Sequence, residues 1–394
     1  MFRGNLQMRP HACSGSLSRM VRFVHTSDWQ LGMTRHFLRP EAQARFSAAR
    51  IEAVKSVGRI AKEDGCAFVV VAGDVFESNM VERAVVVRAL EAMREAGVDF
   101  YLLPGNHDPL GAGSVFHSPA FTGQCPANVH VLGAEPVQIA AGVTLVGDPW
   151  MAKRREGDPI AGALARAREI AGVRIIVGHG NADALVPDLQ AGGLVARAEA
   201  EGALARGDAQ YIALGDRHSR TALGDNGKAW YSGSPEPTDY DETDPGWVLV
   251  ADVERDHCVV EPVRTGTWAF AREHFNLAGA GDLGRVRAWL DGRPNKDRTI
   301  VKLSFTGTLN LAARAELDEM LAHYEAMFAA IEQWERRMDL VVQAEGDEFT
   351  ALGLAGFAAG AAEELAALSR SDSPQAGDAG NALALLYRLA RNGP

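Results

Sequence analysis

The stretch HTSDWQLG, residues 25–32, follows the short apolar run 22–26 and carries two oxygen donors, Asp28 and Gln30, on either side of Trp29. An apolar strand that ends in such a loop hands polar side chains to the strand's carboxyl end, where layered α/β proteins place their ligands. The same event recurs down the chain. FVVVA runs into Gly73-Asp74-Val75-Phe76-Glu77 and YLLP into Gly105-Asn106-His107-Asp108; IIV runs into Gly178-His179-Gly180 and YIAL into Gly215-Asp216-Arg217-His218. Glycine at these junctions permits a sharp turn that brings side chains from separate strands together. A single Gly-Asp is an ordinary turn, and Asn-His-Asp alone reads as an Asx turn. Five junctions in order, each behind an apolar run, point to one convergent polar site.

Between the junctions the pattern alternates short apolar runs with helical periodicity, which signals a layered α/β fold with buried strands. Helices are expected over 41–64 and 81–96, and strands over 22–26, 68–72 and 100–103. Runs at 129–132, 137–139 and 143–147 are closely spaced and read as antiparallel strands. A helix over 160–171, a strand over 174–177, a helical stretch over 194–206 and a strand over 211–214 follow. Strands near 228–231, 247–252 and 258–263 close this region. Residues 265–275 read as a crossover into a small unit with a helix over 282–291, a strand over 299–305, a helix over 311–337 and a strand over 340–344. From Phe349 the chain is rich in Ala, Gly and Leu, and the polar stretch 369–381 reads as a linker between two helices.

A chain of 394 residues accommodates one large α/β domain and smaller units, and 47% hydrophobic with 23% charged residues is ordinary for a globular protein. No apolar run approaches the roughly 20 residues that span a bilayer, so no membrane association is expected. Cys13, Cys66, Cys125 and Cys258 are scattered without CxxC spacing, which suits a reducing, cytoplasmic setting. Residues 1–19 lack the apolar core of a secretory signal, and Met20 stands directly before the first strand, so they read as an N-terminal extension. The net charge of −11 excludes a generally basic surface. An anionic polymer would then need a local patch. Lys153, Arg154 and Arg155, after Trp150, and Arg35 beside the first junction are the candidates. Neither a nucleophile triad nor the Walker-type GxxxxGK[ST] pattern is present in the sequence.

With its junctions in this order, the sequence resembles the calcineurin-like metallophosphoesterases. HTSDWQLG, GDVFE, LPGNHD and YSGSP (residues 231–235) resemble the DNA repair exonuclease branch typified by the SbcD nuclease subunit. The resemblance implies a layered metallophosphoesterase β-sandwich flanked by helices over 20–264, a small α+β capping domain over 265–345 and a helical C-terminal region over 346–394. It also implies two divalent ions, Mn²⁺ or Mg²⁺. Asp28, Gln30 and His218 would bind the first, Asn106, His179 and Asp216 the second, and Asp74 would bridge them. His107 would be the general acid, oriented by Asp108. Two positions depart from the family pattern, because Gln30 and Asp216 both stand where a His is usual. Each keeps an oxygen donor, so the set shifts from imidazole towards the hard donors that suit Mn²⁺ and Mg²⁺. The activity implied is DNA exonuclease or endonuclease cleavage in repair. A small-substrate phosphodiesterase or phosphatase, or a non-catalytic DNA-binding scaffold with a decayed site, is the alternative. The expected partners are DNA and an SbcC-like coiled-coil ABC-type ATPase docked on the C-terminal helices, with a homodimer left open.

Overall fold

The structure, a computed structural model, describes residues 20–187, 192–343, 354 and 356–392; the expected extension 1–19, with Cys13, lies outside them. The chain begins with β1 (Val21–Thr26), α1 (Pro40–Glu63), β2 (Phe68–Val71), α2 (Arg83–Ala96), β3 (Asp99–Leu102), α3 (Pro119–Thr122) and β4 (Val129–Val131). It continues through β5 (Val137–Ala140), β6 (Val143–Gly147), α4 (Ala161–Ala167), β7 (Val173–His179), α5 (Arg197–Arg206) and β8 (Tyr211–Gly215). Then come β9 (Thr221–Ala222), β10 (Ala229–Tyr231), β11 (Trp247–Val253) and β12 (Cys258–Arg264).

These strands form two six-stranded sheets, ordered β12-β11-β1-β2-β3-β4 and β5-β6-β7-β8-β10-β9. Side chains alternate across each strand, so one set faces the other sheet and one faces helices. Phe23, Val70, Leu103, Leu145, Ile175 and Tyr211 fill the space between the sheets. Val24, Val69, Val71 and Leu102 pack with apolar residues of α1 and α2, while Ile176, Ile212 and Leu214 pack with α4 and α5. A mixed α/β layering follows, as the resemblance implies. The inner strands β1, β2 and β3 run parallel in one sheet, and β6, β7 and β8 in the other. The polar junctions therefore gather at strand carboxyl ends. The expected antiparallel run over 129–147 holds only for β5 and β6, since β4 pairs parallel to β3 and β6 parallel to β7.

The third sheet is built from β13 (Ala269–Leu277), β14 (Thr299–Asn310), β15 (Ala330–Gln333) and β16 (Asp339–Gln343), with α6 (Leu283–Asp291) and α7 (Leu311–Glu325) packed on it. The stretch expected as a crossover, 265–275, is largely the edge strand β13. The helix expected over 311–337 stops at Glu325, and its tail forms β15. All pairings with β14 are parallel, β13 on one edge and β15 then β16 on the other. Trp268 and Ile300 pack with Met33 and Phe46, seating this sheet against α1. The polar break 369–381 is confined to 370–375, between α8 (Phe357–Ser369) and α9 (Ala376–Asn392). Leu383 of α9 is buried with Leu311 and Val342, while Leu389 is exposed. No helix among the described residues is long and apolar enough to cross a membrane.

Candidate metal centre

The five junction loops converge. Asp28 and Asp74 leave parallel neighbours β1 and β2, and the Asp28 amide donates to the Gly73 carbonyl at 3.0 Å. Asp28 is fully buried; its carboxylate accepts from Ser27 Oγ at 2.6 Å and from the Asp216 amide at 3.0 and 3.2 Å. His179, at the end of β7, donates from Nδ1 to the Ala72 carbonyl at 2.8 Å, which leaves Nε2 as the free face. That nitrogen lies 3.4 Å from Asp74 Oδ1, 3.6 Å from Asp216 Oδ1 and 2.9 Å from the Asn106 amide. Ligand atoms of Asp28, Asp74 and His179 all fall within 4.8 Å of one another. On the other side, His218 Nε2 stands 3.8 Å from Asp28 Oδ1 and 3.4 Å from Gln30 Nε2. The structure thus brings all seven expected ligands to one place.

Two observations bear on the unusual positions. Gln30 Oε1 is buried without a hydrogen-bond partner among the described residues, an orphan acceptor that burial makes costly unless something binds it. Asp28, Gln30, Asp74 and Asp216 have φ of 54°, 44°, 53° and 86°, and the remaining left-handed non-glycine residue among those described is Asn295. Such backbone costs of order 1–3 kcal/mol per residue and persists where surroundings over-determine it, characteristically at functional sites. Gln30 and Asp216 share this signature with Asp28 and Asp74.

The charges favour cations. Burial works against a charged His179, but Asp74, Asp216 and Asp28 outweigh it and hold its pKa well above the ordinary value. His218 is likewise pulled down by burial and raised further by Glu242 and Asp28, to about 9. Burial raises the Asp28 carboxyl. Burial also opposes ionisation of Asp74, yet the charge and hydrogen bond of His179 leave its pKa below the ordinary value. Without metal, the carboxylates draw protons onto the two imidazoles.

His107 and Asp108 occupy different surroundings. The His107 amide donates to Asp74 Oδ1 at 3.0 Å, and its Nδ1 donates to the Glu77 carbonyl at 3.0 Å. Its Nε2 is thereby the free nitrogen, and the residue lines a cavity of about 470 Å³ with Gln30, Glu77, Asp216, Arg217 and His218. The Asp108 carboxylate, expected to orient His107, has its hydrogen bonds elsewhere. Buried, it accepts from the Gly105 amide at 2.8 Å and the Phe76 amide at 2.9 Å, bracing the loop; burial and the Asp74 charge push its pKa up to about 7.

The basic residues divide as well. Arg35 lines the cavity, but its guanidinium is held by the Thr238 carbonyl and lies 3.6 Å from Asp239. Arg155 pairs with Asp148 at 2.9 Å and does not line the cavity. Lys153 and Arg154 are exposed and do not line the cavity. Several contributors carried no sequence signal. His218 Nδ1 is held by Thr238 Oγ1 at 2.6 Å and Glu242 Oε1 at 3.0 Å, in a loop without periodicity. Asn181 donates to the Asp216 carboxylate. The YSGSP segment is a tie: Ser234 Oγ donates to the Asp28 carbonyl at 2.9 Å, and Tyr231 donates to the Gly180 carbonyl at 2.8 Å.

The family model for calcineurin-like phosphoesterases matches residues 21–220. The chain belongs to this family. As a calcineurin-like phosphoesterase it is a metal-dependent hydrolase of phosphoester bonds, and members typically hold a dinuclear metal site. The seven convergent donors and the orphan Gln30 oxygen fit such a centre. Similar solved structures include TT1561 of Thermus thermophilus, 11% identical over 63% of this chain and 100% of that one, with a TM-score of 0.38. A 5'-nucleotidase precursor from the same organism is 13% identical over 63% of this chain and 55% of that one, TM-score 0.38. A dimetal phosphatase from Danio rerio is 12% identical over 61% and 98%, TM-score 0.37. No curated protein matches the sequence.

Proposed function

We propose that this calcineurin-like phosphoesterase is a phosphodiesterase acting on DNA, an exonuclease or endonuclease of the SbcD-type repair branch that works with two Mn²⁺ or Mg²⁺ ions. The observation that carries the reading is the convergence of Asp28, Asp74 and His179 within 4.8 Å, ringed by Gln30, Asn106, Asp216 and His218. Bound divalent ions would supply activation of water and charge neutralisation at the phosphoryl group.

The chain's own residues do the rest. Asp74, whose carboxylate comes within 4.8 Å of both Asp28 and His179, would serve both ions. His107, with Nδ1 committed to the Glu77 carbonyl, offers a proton from Nε2 to the departing sugar oxygen, the task of a general acid. The branch assignment rests on the idiom of HTSDWQLG, GDVFE, LPGNHD and YSGSP. It is supported by the third sheet's hold on one wall of the cavity, where Tyr240 donates to Glu332 at 2.8 Å and Arg272 pairs with Asp241. In this reading residues 265–345 are a capping domain. Helices α8 and α9, with Leu389 exposed, are a docking element for an SbcC-like ATPase in the cytoplasm.

The test is a panel of linear duplex DNA, single-stranded DNA and bis-(p-nitrophenyl) phosphate, with and without Mn²⁺ and with and without the ATPase. Metal-dependent cleavage of DNA is expected. Cleavage of the small ester alone under every condition would assign a small substrate, and DNA binding without cleavage would make the chain a scaffold.

A further inference from the structure

Arg50 of α1 is 2% exposed, and its bonds go to neutral partners. Nη1 donates to the Trp29 carbonyl at 3.0 Å, and Nη2 to the Pro237 carbonyl at 2.9 Å and towards Met33 Sδ at 3.4 Å; the guanidinium sits over Phe46, 4.7 Å from the ring centre. Nε has no partner among the described residues. Burying a charge this way is expensive. Burial lowers its pKa to about 10, so it remains a cation at neutral pH. A residue serving packing alone would be cheaper as Leu or Met.

The two carbonyls explain the placement. Trp29 lies between Asp28 and Gln30, both left-handed, and its carbonyl belongs to the peptide that precedes Gln30, so a bond to that carbonyl helps hold the φ of 44° at Gln30. Pro237 immediately precedes Thr238, whose hydroxyl holds His218 Nδ1 at 2.6 Å. One rigid guanidinium therefore fastens the segment that supplies Asp28 and Gln30 to the distant segment whose Thr238 holds His218. No bond from Arg50 reaches Asp74, Asn106, His179 or Asp216.

We infer that Arg50 is a positioning residue for the first metal ion: it clamps the Trp29 and Pro237 carbonyls so that Asp28, Gln30 and His218 hold their binding geometry, and it leaves the second ion's ligands alone. The inference rests on the two-metal reading.

The experiment titrates Mn²⁺ into the full chain, freed of metal by chelation, with calorimetry. Gln30→Ala marks the first-ion step and Asn106→Ala the second. Arg50→Met should weaken the step marked by Gln30→Ala by about 10–100-fold, the usual loss when a ligand's outer support is removed. The other step should change by less than about 2-fold. Arg50→Lys, which keeps the charge but can reach only one carbonyl well, should fall between, and it serves should the Met variant not fold. Arg50→Met combined with Gln30→Ala should lose little more than either alone. Equal weakening of both steps would reduce Arg50 to a general fold stabiliser, and no weakening of either would also overturn the inference, while in both cases the two-metal reading stands. A wild-type chain that takes up no Mn²⁺ would overturn both.

Discussion

At the scale of single residues, the chemistry depends on which nitrogen of each imidazole is spoken for. His107 commits Nδ1 to a carbonyl, so replacing it should affect proton delivery and spare metal retention. His107→Asn should slow cleavage by about 10²–10⁴-fold. The loss should shrink for an ester whose leaving group needs no proton, and steady-state rates on good and poor leaving groups check this. His25 is the contrasting case. It is fully buried, its Nδ1 accepts from Tyr211 Oη at 3.0 Å and its Nε2 donates to the Leu214 carbonyl at 3.2 Å, and burial lowers its pKa from 6.5 to about 3. Between those values the unfolded chain takes up a proton that the folded chain refuses. Stability should therefore fall as pH drops through this window, by about 1.4 kcal/mol per pH unit at its steepest. Urea unfolding of the wild type and His25→Gln at pH 7, 5 and 4 checks it: the variant's stability should decline less steeply.

At the scale of elements, the junction loops were legible because each joins an apolar run to residues that neither strand nor helix favours. Their convergence could be inferred from order alone. Glycine spacing carries more than turn propensity here. A Cβ on Gly105 would lie 2.2 Å from Asp74 Oδ1 and 2.6 Å from the Asp74 amide. Gly105→Ala should therefore displace the Asp74 carboxylate and the backbone beside it, lowering Mn²⁺ affinity by about 10-fold or more and lowering the melting temperature with it; parallel titration and melting check the two. What stayed illegible depends on distant contacts. Arg50 sits in an amphipathic helix where an arginine normally reads as the wet face, and nothing near it announces carbonyls at 29 and 237. Glu242 has no local signal either. The tail of the helix expected over 311–337 is an apolar run, AMFAAIEQW, that periodicity cannot assign to helix or strand. Parallel pairing with β14 decided for β15. Similarly, β13 alternates too weakly to declare itself, because an edge strand has little to bury.

At the scale of the whole molecule, the two-metal reading sets metal and proton in competition for the same pair of rings. With His218 at about 9 and His179 held well above its ordinary value, an incoming ion must expel protons. Apparent Mn²⁺ affinity should accordingly fall as pH drops below about 9. Calorimetry in buffers of different ionisation heat should show proton release on binding. The origin of the proposed ligands has a mechanical consequence. Asp28, Gln30, Asp74 and Asn106 come from loops of one six-stranded sheet, while His179, Asp216 and His218 come from loops of the other. An ion at that point would act as a rivet through one lip of a folded plate, locking the sheets against shear where they otherwise meet by side-chain packing. Removing the rivet should loosen that lip and leave the far edge stiff. Hydrogen–deuterium exchange with and without chelator should therefore quicken in the loops after β1, β2, β3, β7 and β8, and stay unchanged at their amino ends.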